Sequence, residues 1–422
     1  MSTIETSLRK VPLTKTEISP EAIAAVAEVL ASGWVTTGPQ VQQFESEFGA
    51  YVDAEHAIAV SSCTAALELS LRALKLPKGT RVLTSTITFC GAVNAIIHAG
   101  LEPVLVDVDL ETCMPDARTT AAAVRRSGRP HAMIVTHFAG HPAPVEELAL
   151  AAGLPLERVI EDAAHGLATF VGDRPVGSIS AATCFSFYAS KNLPIGEGGM
   201  ITTSDPKIAE FVRMARLHGM SRDAWKRYMP GSGWRYDVQT VGLKANMTDI
   251  QAAIGRSQLL HLDRWQERRR DIAERYHRGL SAIDGLSLPP LPLAGRHAWH
   301  LYVVKIEKGF GLDRDGFIAA LSDVGVGCSV HFIPVHQLTS FQRALTSHPE
   351  GSLATADDVF EQIVSLPMHQ GLSDEDVDYV IHQISQLRNG DTIRLEPAVS
   401  EIPDTRRPPR YLRHADEMKE VT

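Results

Sequence analysis

This 422-residue sequence has no GxGxxG and no GxxxxGK[ST], so the fingerprints of dinucleotide and nucleoside-triphosphate sites are absent. It also lacks HExxH and GxSxG, which excludes the usual zinc-peptidase helix and nucleophile elbow. Cysteine is scarce. Cys63, Cys90, Cys113, Cys184 and Cys328 are scattered with no CxxC pair, the usage of a reducing compartment. No stretch approaches the ~18 apolar residues of a membrane span. The opening MSTIETSLRK has no apolar core of a secretory signal. A cytoplasmic protein with no membrane partner is expected, and the sequon at Asn246 is then not glycosylated. Positive charge is not in excess: 41 basic against 50 acidic residues give a net charge of −9. The longest basic run is Arg268-Arg269-Arg270, which reads as a solvated helix face, so nucleic acid is not an expected partner. His137 and His141 are four apart but flank Phe-Ala-Gly after a strand pattern, and no metal site is expected there or elsewhere.

What is present is ordinary globular material, 44% hydrophobic and 22% charged, without repeats or low-complexity tracts. The length suits two or three domains, or one large and one small. Short apolar runs at 56–60, 81–85, 103–108, 131–137, 158–162 and 183–187 read as buried strands. Amphipathic stretches at 64–74, 145–152 and 208–217 read as helices between them. That alternation predicts an α/β fold, a mainly parallel sheet sandwiched by helices. Residues 249–280 look helical throughout, a bridge to a smaller α+β unit. That unit has strands at 300–306 and 327–332 and helices at 313–324, 357–364 and 374–387. The expected division is an N-terminal arm (1–18), a large domain (19–262), a small domain (263–388) and a polar, poorly ordered tail (389–422).

Open α/β sheets bind ligands beyond the carboxyl ends of their strands. After the run at 56–60 stand Ser62, Cys63 and Thr64 at a helix start, where free N–H groups and the helix dipole suit a phosphate. Ser62 and Thr64 also fit a plain N-cap. Phe89 follows the run at 81–85 and could stack on a planar ring or simply fill core. Asp162 ends the run at 158–162. A buried carboxylate there needs a partner, such as a cationic ring nitrogen, unless it caps a helix. Lys191 lies just beyond the run at 183–187, before the Gly-rich turn 196–199. Desolvation would make its amine nucleophilic, although a surface lysine is the bland alternative. Each signal is weak alone. Together, the phosphate cup, aromatic, carboxylate and lysine at one sheet edge are the set that pyridoxal 5'-phosphate requires.

The motifs that carry these residues are specific. They are Trp34-Val35-Thr36-Thr37-Gly38-Pro39, Ser62-Cys63-Thr64-Ala65-Ala66-Leu67, Glu161-Asp162-Ala163-Ala164-His165 and Phe185-Ser186-Phe187-Tyr188-Ala189-Ser190-Lys191-Asn192. Downstream stand Gly196-Glu197-Gly198-Gly199, Leu217-His218-Gly219-Met220 and Gly242-Leu243-Lys244-Ala245-Asn246-Met247-Thr248-Asp249. His297-Ala298-Trp299-His300-Leu301 and Val330-His331-Phe332 complete the set. From about residue 11 to 387 the chain resembles the fold-type-I, pyridoxal-phosphate-dependent sugar aminotransferases of the DegT/DnrJ/EryC1/StrS group. The last three motifs look most like the branch that aminates the C4 keto group of UDP-linked sugars.

The resemblance implies roles. Lys191 matches the Schiff-base lysine that shuttles the proton, and Asp162 the partner of the pyridine nitrogen. His165 falls near the ring hydroxyl, and Phe89 matches the stacking aromatic. Cys63, Thr64 and Ser186 match phosphate ligands. Asn246 matches a phosphate ligand donated by a neighbouring subunit, so a homodimer with shared active sites is implied. His331 and Trp34 fall on the substrate side. Glutamate is the implied amino donor and a nucleotide-linked keto-sugar the acceptor. Departures concern the surroundings: Cys63 stands where Gly or Ala is commoner, Leu193-Pro194-Ile195 replaces a Thr-rich run, and Leu243 and Ala245 replace frequent aromatics. Alternatives are a non-nucleotide cyclic ketone of cyclitol or aminoshikimate type, and a non-catalytic cofactor-binding subunit. A dehydratase of the same fold is disfavoured by Lys191, because that branch typically carries histidine there.

Overall fold

The computed structural model describes residues 9–220, 236–344 and 351–389. Almost all of the expected loose tail lies outside the described residues.

The central sheet uses seven strands: β1 (His56–Val60), β2 (Arg81–Ser85), β3 (Glu102–Val106), β4 (Ala132–Thr136), β5 (Val159–Ala163), β8 (Ala182–Ser186) and β9 (Gly199–Thr203). A two-residue hairpin, β6 (Phe170–Val171) and β7 (Arg174–Pro175), interrupts the count. The order across the sheet is β1-β9-β8-β5-β4-β2-β3. The pairings from β8 through β5, β4 and β2 to β3 are parallel, and β9 runs antiparallel to both its neighbours.

Period-two alternation divides the strand residues between two cores. Val82, Ile134 and Ile160 face helices α3 (Cys63–Ala73), α4 (Gly91–His98) and α7 (Pro206–Ala215). Their neighbours Leu83, Met133 and Val159 face α5 (Ala117–Ser127) and α6 (Val145–Ala152). Both faces are covered, which is why the strands read as continuous apolar runs. Helices α1 (Pro20–Ser32) and α2 (Pro39–Tyr51) precede the sheet, and both pack on α8 (Asp249–Leu259).

Helix α9 (Leu262–Leu280) runs from one core into another. Leu262 packs with Phe44, Phe187 and Met200, while Ile272, Tyr276 and Leu280 pack with the C-terminal unit. That unit is an antiparallel sheet of β10 (Leu286–Ser287), β11 (Tyr302–Ile306) and β12 (Ile363–Leu366). Helices α10 (Arg314–Asp323) and α13 (Asp374–Asn389) pack in its core, while Phe341 of α11 (Thr339–Ala344) and Ala356 and Val359 of α12 (Ala354–Phe360) pack against elements of the large sheet. Val11 in the N-terminal segment joins this core and bridges to Val326.

Several elements differ from the sequence reading. The helix expected over 249–280 is two helices. The break at 260–261 lets Leu259 and Leu262 reach one core, while Leu260 is left 83% exposed. The strand expected over 327–332 is a loop with a single bridge, Ser329 to Ser365, and it carries His331 and Phe332 over the sheet edge. The second half of the helix expected over 357–364 is strand β12, because Ile363 and Val364 pair with β11. Strand β9 was not anticipated. It begins at Gly199, where a Cβ would come within 2.6 Å of the Ser62 carbonyl carbon, so this chain can only pass the start of α3 without a side chain.

Candidate active site

A cavity of about 530 Å³ opens at the carboxyl edge of the parallel strands. Cys63, Thr64, Phe89, Asp162, His165, Ser186, Lys191 and His331 all line it. The sequence placed Cys63, Thr64, Phe89, Asp162 and Lys191 at one sheet edge, and the resemblance added His165, Ser186 and His331; the fold brings all eight into one cavity.

The start of α3 supplies an anion cup. Ser62 is the N-cap, and its hydroxyl accepts from Ala65 N–H at 3.1 Å. That leaves the N–H groups of Cys63 and Thr64 without a protein partner among the described residues, at the positive end of an eleven-residue helix. Thr64 therefore does not cap; its hydroxyl sits at the mouth of the cup. Gly91 lies across from it, and a Cβ there would come within 2.7 Å of Thr64 Oγ1 and push that hydroxyl aside. Ser186, the last residue of β8, lines the same wall. These donors fit a phosphate group.

Asp162 is buried at the end of β5. Its Oδ1 accepts from Ala164 N–H at 3.1 Å and lies 3.8 Å from Cys63 Sγ. No ion pair joins it, and Oδ2 has no partner among the described residues. Burial pushes its carboxyl above the usual range, against the hydrogen bond from Ala164 and the charge of Lys191. A buried carboxylate with one oxygen spare fits a protonated ring nitrogen. Lys191 is held by its own turn, with N–H donating to Tyr188 O at 2.8 Å. Burial lowers its ammonium to about 8, opposed by Asp162. Desolvation thus makes the amine available near neutral pH, and the bland surface reading of this lysine fails.

His165 accepts from Ala139 N–H through Nδ1 at 3.2 Å, which fixes the Nε2–H tautomer. Burial holds it neutral. His331 is tied to Ser365 Oγ at 2.8 Å, and burial drops it to about 4, followed by the charge of Lys191. Phe89 is 59% exposed and faces the cavity rather than the core, 6.0 Å from Phe332 between ring centroids. Burial raises the Cys63 thiol far above its usual value, so it is a packed wall and not a nucleophile.

Two residues lie elsewhere. Trp34 does not line the cavity. It stands 53% exposed in a separate cleft of about 370 Å³ with Glu28, Val29, Ser32, Pro39, Gln40 and Asp249. Asn246 is also outside, donating to Thr37 Oγ1 at 2.7 Å and accepting from Lys244 Nζ. The sequence reading assigned no role to Phe332, His300 or Tyr188, which also line the cavity. All three sit inside motifs quoted above, so the signal was present but no single spacing singled them out. Among the described residues no cluster of metal-binding side chains occurs.

Phosphate cup, ring clamp, free carboxylate oxygen and desolvated lysine, set on a seven-stranded sheet with a smaller C-terminal unit, define a pyridoxal-phosphate-dependent enzyme of fold type I. The chain belongs to the DegT/DnrJ/EryC1/StrS aminotransferase family, which it matches over residues 16–385. It is 44% identical over 375 residues to the spore coat polysaccharide biosynthesis protein SpsC of Bacillus subtilis, covering 88% of this chain and 96% of SpsC. Among solved structures it is similar to the aminotransferase TlmJ from Streptoalloteichus hindustanus. There the TM-score is 0.81 at 34% identity, over 91% of this chain and 100% of that one. The putative sugar aminotransferase Spr1654 from Streptococcus pneumoniae, in its pyridoxal-phosphate form, superposes with a TM-score of 0.82 at 28% identity, over 90% of this chain and 99% of that one. The protein is a pyridoxal-phosphate-dependent sugar aminotransferase. No helix among the described residues is long and apolar enough to cross a membrane.

Proposed function

We propose that the chain moves the amino group of glutamate to the C4 keto group of a nucleotide-linked sugar, as a homodimer with shared active sites. The observation that carries this reading is the desolvated Lys191 in one cavity with Asp162 and the anion cup. Two similarities support the sugar-nucleotide part: SpsC is named for polysaccharide biosynthesis, and the motifs around Asn246, His300 and His331 resemble the C4 branch.

The bound cofactor supplies an electron sink for the carbon that loses its proton. The protein's residues do the rest. Cys63 N–H, Thr64 and Ser186 would hold the phosphate, and Phe89 would lie against the ring. Asp162 would keep the ring nitrogen protonated, and His165 would serve the ring hydroxyl. Lys191, whose ammonium burial lowers to about 8, would in its free-amine form take the proton from the donor carbon and hand it on across the bridging nitrogen. In the second half-reaction the same amine would move a proton in the reverse sense, as the keto carbon takes the nitrogen and its oxygen leaves as water. His331 approaches from the C-terminal unit on the substrate side. Asn246, outside this protomer's cavity, would serve the partner's.

The test is the visible spectrum of the purified protein with and without glutamate. A band that shifts with glutamate supports the first half-reaction; keto-sugar nucleotides should then restore it. A band restored only by a cyclitol-type ketone would replace the sugar nucleotide in this reading. A band indifferent to glutamate would replace the donor.

A further inference from the structure

His300 lines the cavity from the segment that leads into β11. Its ring lies 4.3 Å from that of His165 between centroids. Its Nδ1 lies 2.9 Å from Asn192 Oδ1, and Asn192 is the residue after Lys191. The orientation of that amide is settled by its other end. Asn192 Nδ2 donates to the carbonyl of Ala298 at 3.0 Å. Turning the amide over would set two oxygens against each other there, so Oδ1 faces His300, and His300 Nδ1 must carry the proton. Its Nε2 is then a bare acceptor. His165 is fixed the opposite way, with Nδ1 accepting and Nε2 donating. The two rings stand side by side with opposite proton polarity.

The frame behind them is continuous. Ala139 donates its N–H to His165 and accepts from Leu301 N–H at 3.1 Å. Ala298 N–H donates to Gly140 O at 2.9 Å. The buried Arg269 guanidinium donates to the carbonyls of Trp299, His300 and Met368 at 3.0, 3.4 and 3.2 Å. We propose that His300 is a positioning residue for Lys191, acting through the Asn192 amide, which latches the lysine's turn to the segment that also fixes His165.

The charged or titratable groups around the ring are His165, Lys191, Arg269 and His331, and burial keeps His300 itself neutral among them. The inference rests on the assignment of Lys191 as the reacting amine, but its tests separate the two. The first needs no activity. Imidazole nitrogen NMR of 15N-histidine apoprotein should show a Nδ1–H ring that reverts toward the usual Nε2–H form in Asn192→Ala. A Nε2–H ring at this position in the parent protein overturns the latch. The second is a mutant cycle read by the single-turnover rate of the glutamate half-reaction, with cofactor affinity measured in parallel by fluorescence. His300→Ala and Asn192→Ala should each slow the step by about tenfold or more, since misplacement of a reacting group has that scale. The double variant should be no slower than the slower single one. His300→Asn keeps an N–H where Nδ1 stands and should recover most of the rate. Cofactor affinity should stay level throughout. Multiplying effects, no recovery in His300→Asn, or a parallel loss of cofactor would assign these residues to folding instead. If His300→Ala does not fold, the NMR comparison and the pair Asn192→Ala and His300→Asn still decide.

Discussion

Glu161 and Asp162 are adjacent on β5, and their carboxylates leave the sheet on opposite faces into opposite electrostatic settings. Asp162 points into the cavity with one oxygen free, and burial pushes its carboxyl up. Glu161 points into the protein, and burial there is outweighed by three donors: His137 Nε2–H at 2.9 Å, Ser180 at 2.8 Å and Thr183 at 3.0 Å. Its carboxyl is held below 4.5. One carboxylate is satisfied by the fold, and the other is kept in reserve for a ligand.

That contrast predicts a pH-dependent stability term. A carboxyl depressed in the folded state contributes stability above its unfolded value and loses it as pH falls through the folded one. Glu161→Ala should cost about 3 kcal/mol at pH 7, because three buried donors lose a charged acceptor. The deficit should shrink below pH 4.5, where the unfolded parent protein begins to bind a proton that the folded one refuses. Urea titrations of both proteins at pH 7 and in the acid range measure it. A deficit independent of pH would mean that Glu161 contributes by packing alone.

Lys191→Ala should abolish turnover, with a loss of at least about 10⁴-fold, since both the attachment point and the proton carrier are removed. The far-ultraviolet circular dichroism should be unchanged. The parent lysine also sets a pH profile. Its ammonium falls to about 8 through burial, so the fraction of free amine grows with pH up to that point. Reloading of apoenzyme with pyridoxal phosphate, followed by stopped-flow absorbance, should quicken about tenfold per unit below pH 8 and level off above it. A rate still rising at pH 10 would mean that the lysine is not desolvated.

Much of the site was legible because its chemistry sits at strand ends. The apolar runs that end at Val60, Ser85, Asp162 and Phe187 located the sheet edge to within a residue or so, and the residues after them followed. What escaped was set by pairing across the chain. Strand β9 reads as a Gly-rich turn, because its identity as a strand comes from antiparallel contacts with β1 and β8. The loop at 327–332 has strand-like residues, yet only Ser329 finds a sheet partner. The separation of Trp34 from the cavity was equally invisible, whereas the resemblance already set Asn246 apart from its own protomer's site.

Gly91→Ala sets local preference against the site. Alanine favours a helix over glycine by up to about 1 kcal/mol, and Gly91 opens α4. Yet the added Cβ would meet Thr64 Oγ1 at 2.7 Å and Phe89 Cδ1 at 3.3 Å. Thr64 and the aromatic lid must both shift. The variant should keep its melting temperature while its dissociation constant for pyridoxal phosphate rises about tenfold, a loss of about 1.4 kcal/mol. Unchanged affinity would show that the cup tolerates displacement of Thr64.

The shared-site reading makes a prediction about mixtures. Lys191 lies in its own protomer's cavity, while Asn246 lies outside it, held by Thr37 and Lys244. If Asn246 completes the partner's phosphate site, Asn246→Ala alone should weaken cofactor retention in both sites of a dimer. Lys191→Ala alone should silence both. A mixed dimer has one site that carries both lesions and one that carries neither. Random mixing makes half of the dimers mixed, so refolding the two variants together should restore about a quarter of parent activity, by the symmetry of a two-fold assembly. If each site used only its own protomer's residues, mixing would restore nothing beyond the residual activity of Asn246→Ala. A fully active monomer at any dilution would remove the shared site altogether.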